Sequence, residues 1–169
     1  LLAGRVRFVG PAEQRIKEDY LRILRFFRFY AHFGRPPIDA AALAACRQAR
    51  DQLATLSAER VAAELLKLLA AQNPGPALSV MSDCGILGEL LPEARRLWRL
   101  AGLVGLDSED PDPLRRLGAL LAVDGIGAED LARRLKLSRA EGERLRALAE
   151  TTLESNLDAA GGRQALFRL

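Results

Sequence analysis

The chain is 169 residues long, 49% hydrophobic, 28% charged and only 5% aromatic, with a formal charge of +3. This composition excludes disorder and collagen-like order and supplies enough apolar surface for one or two ordinary cores. No apolar run approaches the roughly 20 residues that a membrane-spanning helix needs, because Arg, Glu, Pro or Gly interrupts every leucine-rich stretch, so no membrane partner is expected.

In chain order, Gly4 to Val9 reads as a short strand in which Arg5 and Arg7 alternate with Val6, Phe8 and Val9, and Gly10-Pro11 ends it. A long helix is predicted from about Ala12 to Phe33, with Gly34 as its C-terminal cap and Pro36-Pro37 just beyond. Asp39 caps a second, alanine-rich helix that runs to about Arg50. Ser57 precedes a third, in which Val61, Leu65, Leu68 and Leu69 recur at helical spacing. Asn73 to Pro76 is a turn, short helices follow on either side of Gly85, and another starts at Pro92 and carries Trp98. The stretch 107–113, with two prolines and four acids, reads as a linker. Three more helices are predicted at Leu114 to Val123, Ala128 to Leu135 and Arg139 to Leu153.

The fold class expected is therefore all-α, a multi-helix array with one N-terminal strand left over. An isolated strand is not stable, so its sheet is expected in a domain upstream of Leu1. The domain reading is 1–11 as strand and turn, 12–106 as one helical region, 107–113 as the linker and 114–169 as a second helical region.

The net charge conceals an asymmetry. Residues 1–35 hold eight Arg or Lys against three acids, while the other 134 residues hold 17 basic and 19 acidic groups. Seven of the nine aromatic residues, Phe8 to Phe33, lie in the same first fifth. Positive charge combined with aromatic surface is what phosphates and bases require, although a buried structural helix also collects aromatics.

Within the long helix, Ile16, Tyr20, Ile23, Leu24, Phe27, Tyr30 and Ala31 share one broad apolar face. Phe26, Phe29 and Phe33 fall on the other side, so the helix is expected to be buried between two masses. Asp19 and Arg22 are three residues apart and hence neighbours on a helix surface, with Arg25 one step further. A carboxylate accepts only, and a guanidinium is a rigid donor fork. Side by side they match the base edges of cytosine and adenine, which present an amino group next to a ring nitrogen; guanine and uracil would set a carbonyl against the carboxylate. The other reading of the same spacing is an ordinary intrahelical ion pair.

The run Arg15-Ile-Lys-Glu-Asp-Tyr-Leu-Arg-Ile-Leu-Arg-Phe-Phe-Arg-Phe29 resembles the signature helix of class II tRNA nucleotidyltransferases and their bacterial poly(A) polymerase relatives, which reads E-D-x-x-R, then I-L-R and R-F. Thr55 to Leu69 resembles the family's next landmark, S-x-E-R-[IV]-x-x-E-L-x-K-L-L. The likeness covers residues 4 to about 95. It implies a neck helix in which Asp19 and Arg22 read the base edge of CTP or ATP, Arg25 and Arg28 help to hold the nucleotide, Glu18 positions the pair, and Arg60 and Glu64 tie the third helix to the neck. It also implies an RNA 3′ end, such as that of tRNA, as partner. A catalytic head domain would hold Mg²⁺, and the leftover strand would be the last piece of that head. One departure is that Gly10 is followed by Pro11 and Ala12, where the family has an acid. A second is that neither G-G-x-x-R-D nor a strand-borne D-x-D occurs in the chain. No catalytic or metal-binding residue is therefore assigned here, and this chain alone is expected to be inactive.

Other candidates carry less chemistry. Asp110-Pro-Asp112 has D-x-D spacing but sits in the linker, where two-metal chemistry would lack a rigid mount. Cys46 and Cys84 lack metal-ligand spacing and read as reduced thiols, which leads to an expected cytoplasmic setting. His32, the only histidine, is expected to meet the carbonyls at its own helix end. Trp98, within Arg95-Arg-Leu-Trp-Arg99, is expected to be half-buried between solvated arginines, with RNA stacking as the other reading. Residues 126–148 resemble a helix-turn-helix, and a non-catalytic helical nucleic-acid-binding module is the alternative function.

Overall fold

The computed structural model describes residues 4–107 and 109–150, and the elements are those of an all-α array. The helices are α1 (Ala12–Glu18), α2 (Leu21–Phe33), α3 (Ala40–Gln48), α4 (Ala58–Leu69), α5 (Gly75–Asp83), α6 (Ile86–Leu90), α7 (Leu97–Leu106), α8 (Pro113–Leu120) and α9 (Gly125–Arg134). A 3₁₀ segment, Arg50–Thr55, follows α3, and 139–150 is helical. The predicted end of the last helix, near Leu153, lies outside the described residues.

Helix α2 is the hub, packing against α4 and α5, and α4 in turn packs on α8. Val61, Leu65, Leu68 and Leu69 of α4 are buried, as their spacing requires, and they join Ile23, Leu24 and Phe27 of α2 in one core. Asp39 caps α3 by accepting the Ala42 N–H at 2.9 Å. Gly85, at φ 75°, makes the left-handed turn that separates α5 from α6.

Four expectations are corrected. First, Gly4 to Val9 forms no strand. With no partner strand among the described residues, the segment lies along α2 instead, where Phe8 stacks on Phe26 at 5.3 Å and Gly4 accepts the Arg35 N–H at 2.8 Å. Second, the long helix is broken at Asp19, which is extended at φ −159° and ψ 107°. Third, no helix starts at Pro92. Residues 93–96 run antiparallel to 120–122 through an isolated bridge between Ala94 and Leu121, with Arg96 donating to the Leu120 carbonyl and Ala122 to that of Glu93.

Fourth, Asp107 and Asp112 of the predicted linker are not free spacer residues. Asp107 is buried and takes two nitrogens of Arg116, the closest at 2.7 Å. Arg116 is 0% exposed, and its Nη1 also donates to the carbonyls of Leu69 (2.7 Å) and Ala71 (2.5 Å). Those carbonyls belong to the end of α4 and the turn after it, so one buried guanidinium caps α4 and fastens α8 to it. Asp112 is engaged as well, capping α8 through the Leu114 and Arg115 N–H groups and pairing with Arg144.

Candidate functional site

The site is built at the joint between α1 and α2. Because Asp19 leaves the helix, its Oδ1 can accept the Leu21 N–H at 3.1 Å and its carbonyl the Arg22 N–H at 3.0 Å, starting α2 afresh. Its Oδ2 accepts from Arg60 Nη2, on α4, at 2.8 Å. Arg22 turns the other way, with Nη1 donating to Glu18 Oε2 at 2.6 Å and to the Arg15 carbonyl at 2.9 Å. Arg15 closes the cluster on the same Glu18 oxygen at 2.5 Å. Arg22, and after it Arg15, hold the Glu18 carboxyl below its ordinary range.

The Asp19 and Arg22 side chains therefore share a neighbourhood without bonding to each other, and the simple intrahelical ion pair is not formed. Each is held by a different part of the fold, and each keeps spare capacity. An ionised carboxylate has about four lone-pair sites, and Asp19 uses one on each oxygen. Both side-chain hydrogen bonds of Arg22 leave from Nη1, so its Nε and Nη2 hydrogens have no partner among the described residues.

One turn further along α2, Glu64 of α4 draws in both remaining arginines. Arg25 Nε lies 3.4 Å from Oε1, and Arg28 Nη1 lies 3.2 Å from Oε2. The second contact is close enough for ion pairing but lacks hydrogen-bond direction, so the buried Oε2 has no hydrogen-bond partner. Arg60 and Glu64 thus tie α4 to the α1–α2 joint and to α2, through Asp19 and through Arg25 and Arg28.

A cavity of about 210 Å³ opens beside Arg22 and Arg25, walled by Phe26, Phe29 and the segment Val6 to Phe8. Asp19 does not line it. The volume is below the roughly 300–1,000 Å³ usual for a drug-sized ligand, so it suits one ring system better than a whole nucleoside triphosphate. Phe29 and Phe33 are 42% and 51% exposed and stack on each other, and Arg28 lies over the Phe29 ring at 4.6 Å. Of the three phenylalanines off the main apolar face, only Phe26 is buried, with Phe8 stacked on it. The open faces of Phe29 and Phe33, and the role of Phe8 and Arg7 as cavity wall, were not legible in the sequence. The nearest signal was the set of aromatics on the wrong side of the helix.

The remaining candidates settle simply. His32 Nε2 is 2.8 Å from the Lys67 carbonyl of α4, a different helix from its own. Cys46 and Cys84 are buried and free, and burial, then the neighbouring Cys84, pushes the Cys46 thiol up to about 12. Around 126–148 the second helix begins with Ser138 and Glu141 bonded to each other, and Arg139 and Arg146 paired with Glu143 and Glu129. Its start carries a cap and exposed ion pairs of mixed sign, an arrangement unlike a run of free base-reading side chains. Among the described residues, no group of three or more His, Cys, Asp or Glu side chains could hold a metal ion.

Residues 37–97, from the turn after α2 to the first residue of α7, match a family model described as "Probable RNA and SrmB- binding site of polymerase A". The chain is 37% identical over 146 residues to "CCA tRNA nucleotidyltransferase 1, mitochondrial" of Danio rerio, covering 81% of this chain and 32% of that protein. The human protein of the same name is 36% identical over 142 residues with the same coverage. The "Multifunctional CCA protein" of Dechloromonas aromatica is 41% identical over 100 residues, 58% of this chain and 24% of that protein. The chain thus spans about a third or less of the length of these relatives.

Proposed function

From a chain homologous over four-fifths of its length to part of the class II CCA-adding nucleotidyltransferases, we propose that these residues select the nucleotide and contact the RNA in an enzyme that extends RNA 3′ ends from CTP and ATP. The observation that carries this reading is the joint at Asp19. A carboxylate and a guanidinium are held apart by separate partners, Arg60 for one and Glu18 for the other, and both keep unused acceptors and donors. A base edge with an amino group beside a ring nitrogen would use that capacity, giving its amino hydrogen to Asp19 and taking one from Arg22 Nε or Nη2. A carbonyl in place of the amino group would face the carboxylate, a mismatch of about 1–3 kcal/mol.

Around this pair, Arg25 and Arg28 would supply positive charge to the triphosphate, with Glu64 limiting how far each can swing. The exposed rings of Phe29 and Phe33 offer stacking surface on the same helix. The reading places Mg²⁺ on a head domain of the whole protein. The described residues do not fit such a metal, so no chemical step is assigned to them. RNA would be held by the helices of the matched segment and by the basic amino end, with salt-sensitive affinity.

The test is terminal addition by the full-length protein on a tRNA transcript lacking its CCA end. The reading predicts addition from CTP and ATP, with little from GTP or UTP. No addition from any nucleotide, together with no affinity for the transcript, would refute it.

A further inference from the structure

The sequence 95–99 brings three arginines and the chain's single tryptophan to the start of α7, and the site described above uses none of them. Trp98 is 70% exposed, which overturns the half-buried expectation, and the Arg99 guanidinium lies 5.7 Å from its ring centre. Arg96 and Arg99 have no carboxylate partner among the described residues, and one nitrogen of each, Nη1, is shut off from water with no hydrogen-bond partner. Glu93, the nearest acid in sequence, is already taken by Arg134, at 2.8 Å to each of its oxygens. Arg95 is turned back on the Pro92 carbonyl.

This arrangement is costly as it stands. Like charges are gathered at the positive end of a helix dipole, where cations are disfavoured, and no anion offsets them. Burial, and then the charge of Arg96, pulls the Arg99 pKa below its ordinary value. A polyanion would offset the gathered charge. An acidic peptide would answer the charge and leave the flat indole idle, whereas a nucleic acid strand answers both, with phosphate on the guanidiniums and a base on the ring. The patch also adjoins the end of the segment that matches the RNA-binding family model.

We propose that Trp98, Arg96 and Arg99 form a second RNA contact, in which an unpaired base stacks on the indole while its backbone phosphate lies against the two guanidiniums. The proposal rests on the RNA-binding reading above and adds a site about which that reading is silent. Because the chain has one tryptophan, its emission reports on the contact directly.

The experiment titrates the 169-residue chain with a fluorescein-labelled tRNA transcript lacking CCA, reading anisotropy and tryptophan emission in parallel. Saturable quenching of Trp98 is expected, with Trp98→Ala lowering affinity about tenfold or more and Trp98→Phe holding it within about threefold. Arg96→Gln with Arg99→Gln should reduce the slope of log affinity against log salt by about 1–2. Circular dichroism of each variant confirms that the fold is kept, and Arg133→Gln, on the far end of α9, serves as the charge control. If the parent binds by anisotropy while its emission is unchanged and both sets of variants bind like it, the proposal is overturned and the RNA reading stands. If the parent does not bind the transcript at all, the RNA reading itself fails. Equal quenching by heparin, which has charge and no bases, overturns the stacking contact. So does a Trp98 emission change with anionic phosphatidylserine vesicles and none with RNA.

Discussion

Removing the Asp107 carboxylate by Asp107→Ala leaves Arg116, which is fully enclosed, as an uncompensated charge. Breaking a buried pair in this way costs about 3–5 kcal/mol. Here the guanidinium keeps its bonds to the Leu69 and Ala71 carbonyls, so the loss should fall near the lower end, about 3 kcal/mol. With a urea m value of about 2 kcal/mol/M, the midpoint of unfolding followed by circular dichroism should drop by about 1.5 M. Coupling is expected too: the double variant with Arg116→Ala should lose less than the sum of the two single losses, by about 1–3 kcal/mol.

The pH dependence follows the same contact. Burial alone would raise the Asp107 pKa, but the hydrogen bonds and charge of Arg116 outweigh it and hold the group below its ordinary 3.8. A depressed native pKa stabilises the fold above the unfolded value, and the contribution disappears as the pH falls through the native one. Stability should therefore fall in acid below about pH 4, and less steeply in Asp107→Ala than in the parent. A midpoint within about 0.3 M of the parent, or the same acid profile in both, would refute the buried lock.

Gly34→Ala should destabilise by about 1–3 kcal/mol through a clash, since an added Cβ would stand 2.2 Å from Tyr30 Cδ2 and 2.6 Å from the Tyr30 carbonyl oxygen; an unchanged melting temperature would contradict that close approach. In the native chain at pH 8, Cys46, its thiol pushed up to about 12, should resist Ellman's reagent for as long as the fold persists and react at once in concentrated urea. Rapid native labelling at that position would show that α3 opens readily.

Much of this architecture was legible because it is local. The apolar spacing of α4, the Asp39 cap and the glycine between α5 and α6 each follow from a few neighbouring residues. What stayed illegible depends on partners far away in sequence. The apolar period runs straight through Asp19, and nothing in it reveals that Arg60, 41 residues on, draws the carboxylate out of the helix. A proline-rich acidic stretch looks solvated until an arginine beyond it is found to reach back to the end of α4. That Asp19, Arg22, Arg25 and Arg28 lie near one another was legible, since they follow at helical spacing. Their pairing was not, because spacing along one helix cannot show which side chain a second helix will claim.

The central claim is that Asp19 and Arg22, held apart by Arg60 and Glu18, read the edge of the incoming base. The most direct measurement is single-nucleotide incorporation by the full-length protein carrying Asp19→Ala or Arg22→Ala, with CTP, ATP, GTP and UTP in separate reactions. The account predicts that preference for CTP and ATP over GTP and UTP falls by about ten- to a hundredfold in either variant, the equivalent of one unmatched polar group. Selectivity equal to the parent's in both variants would contradict it.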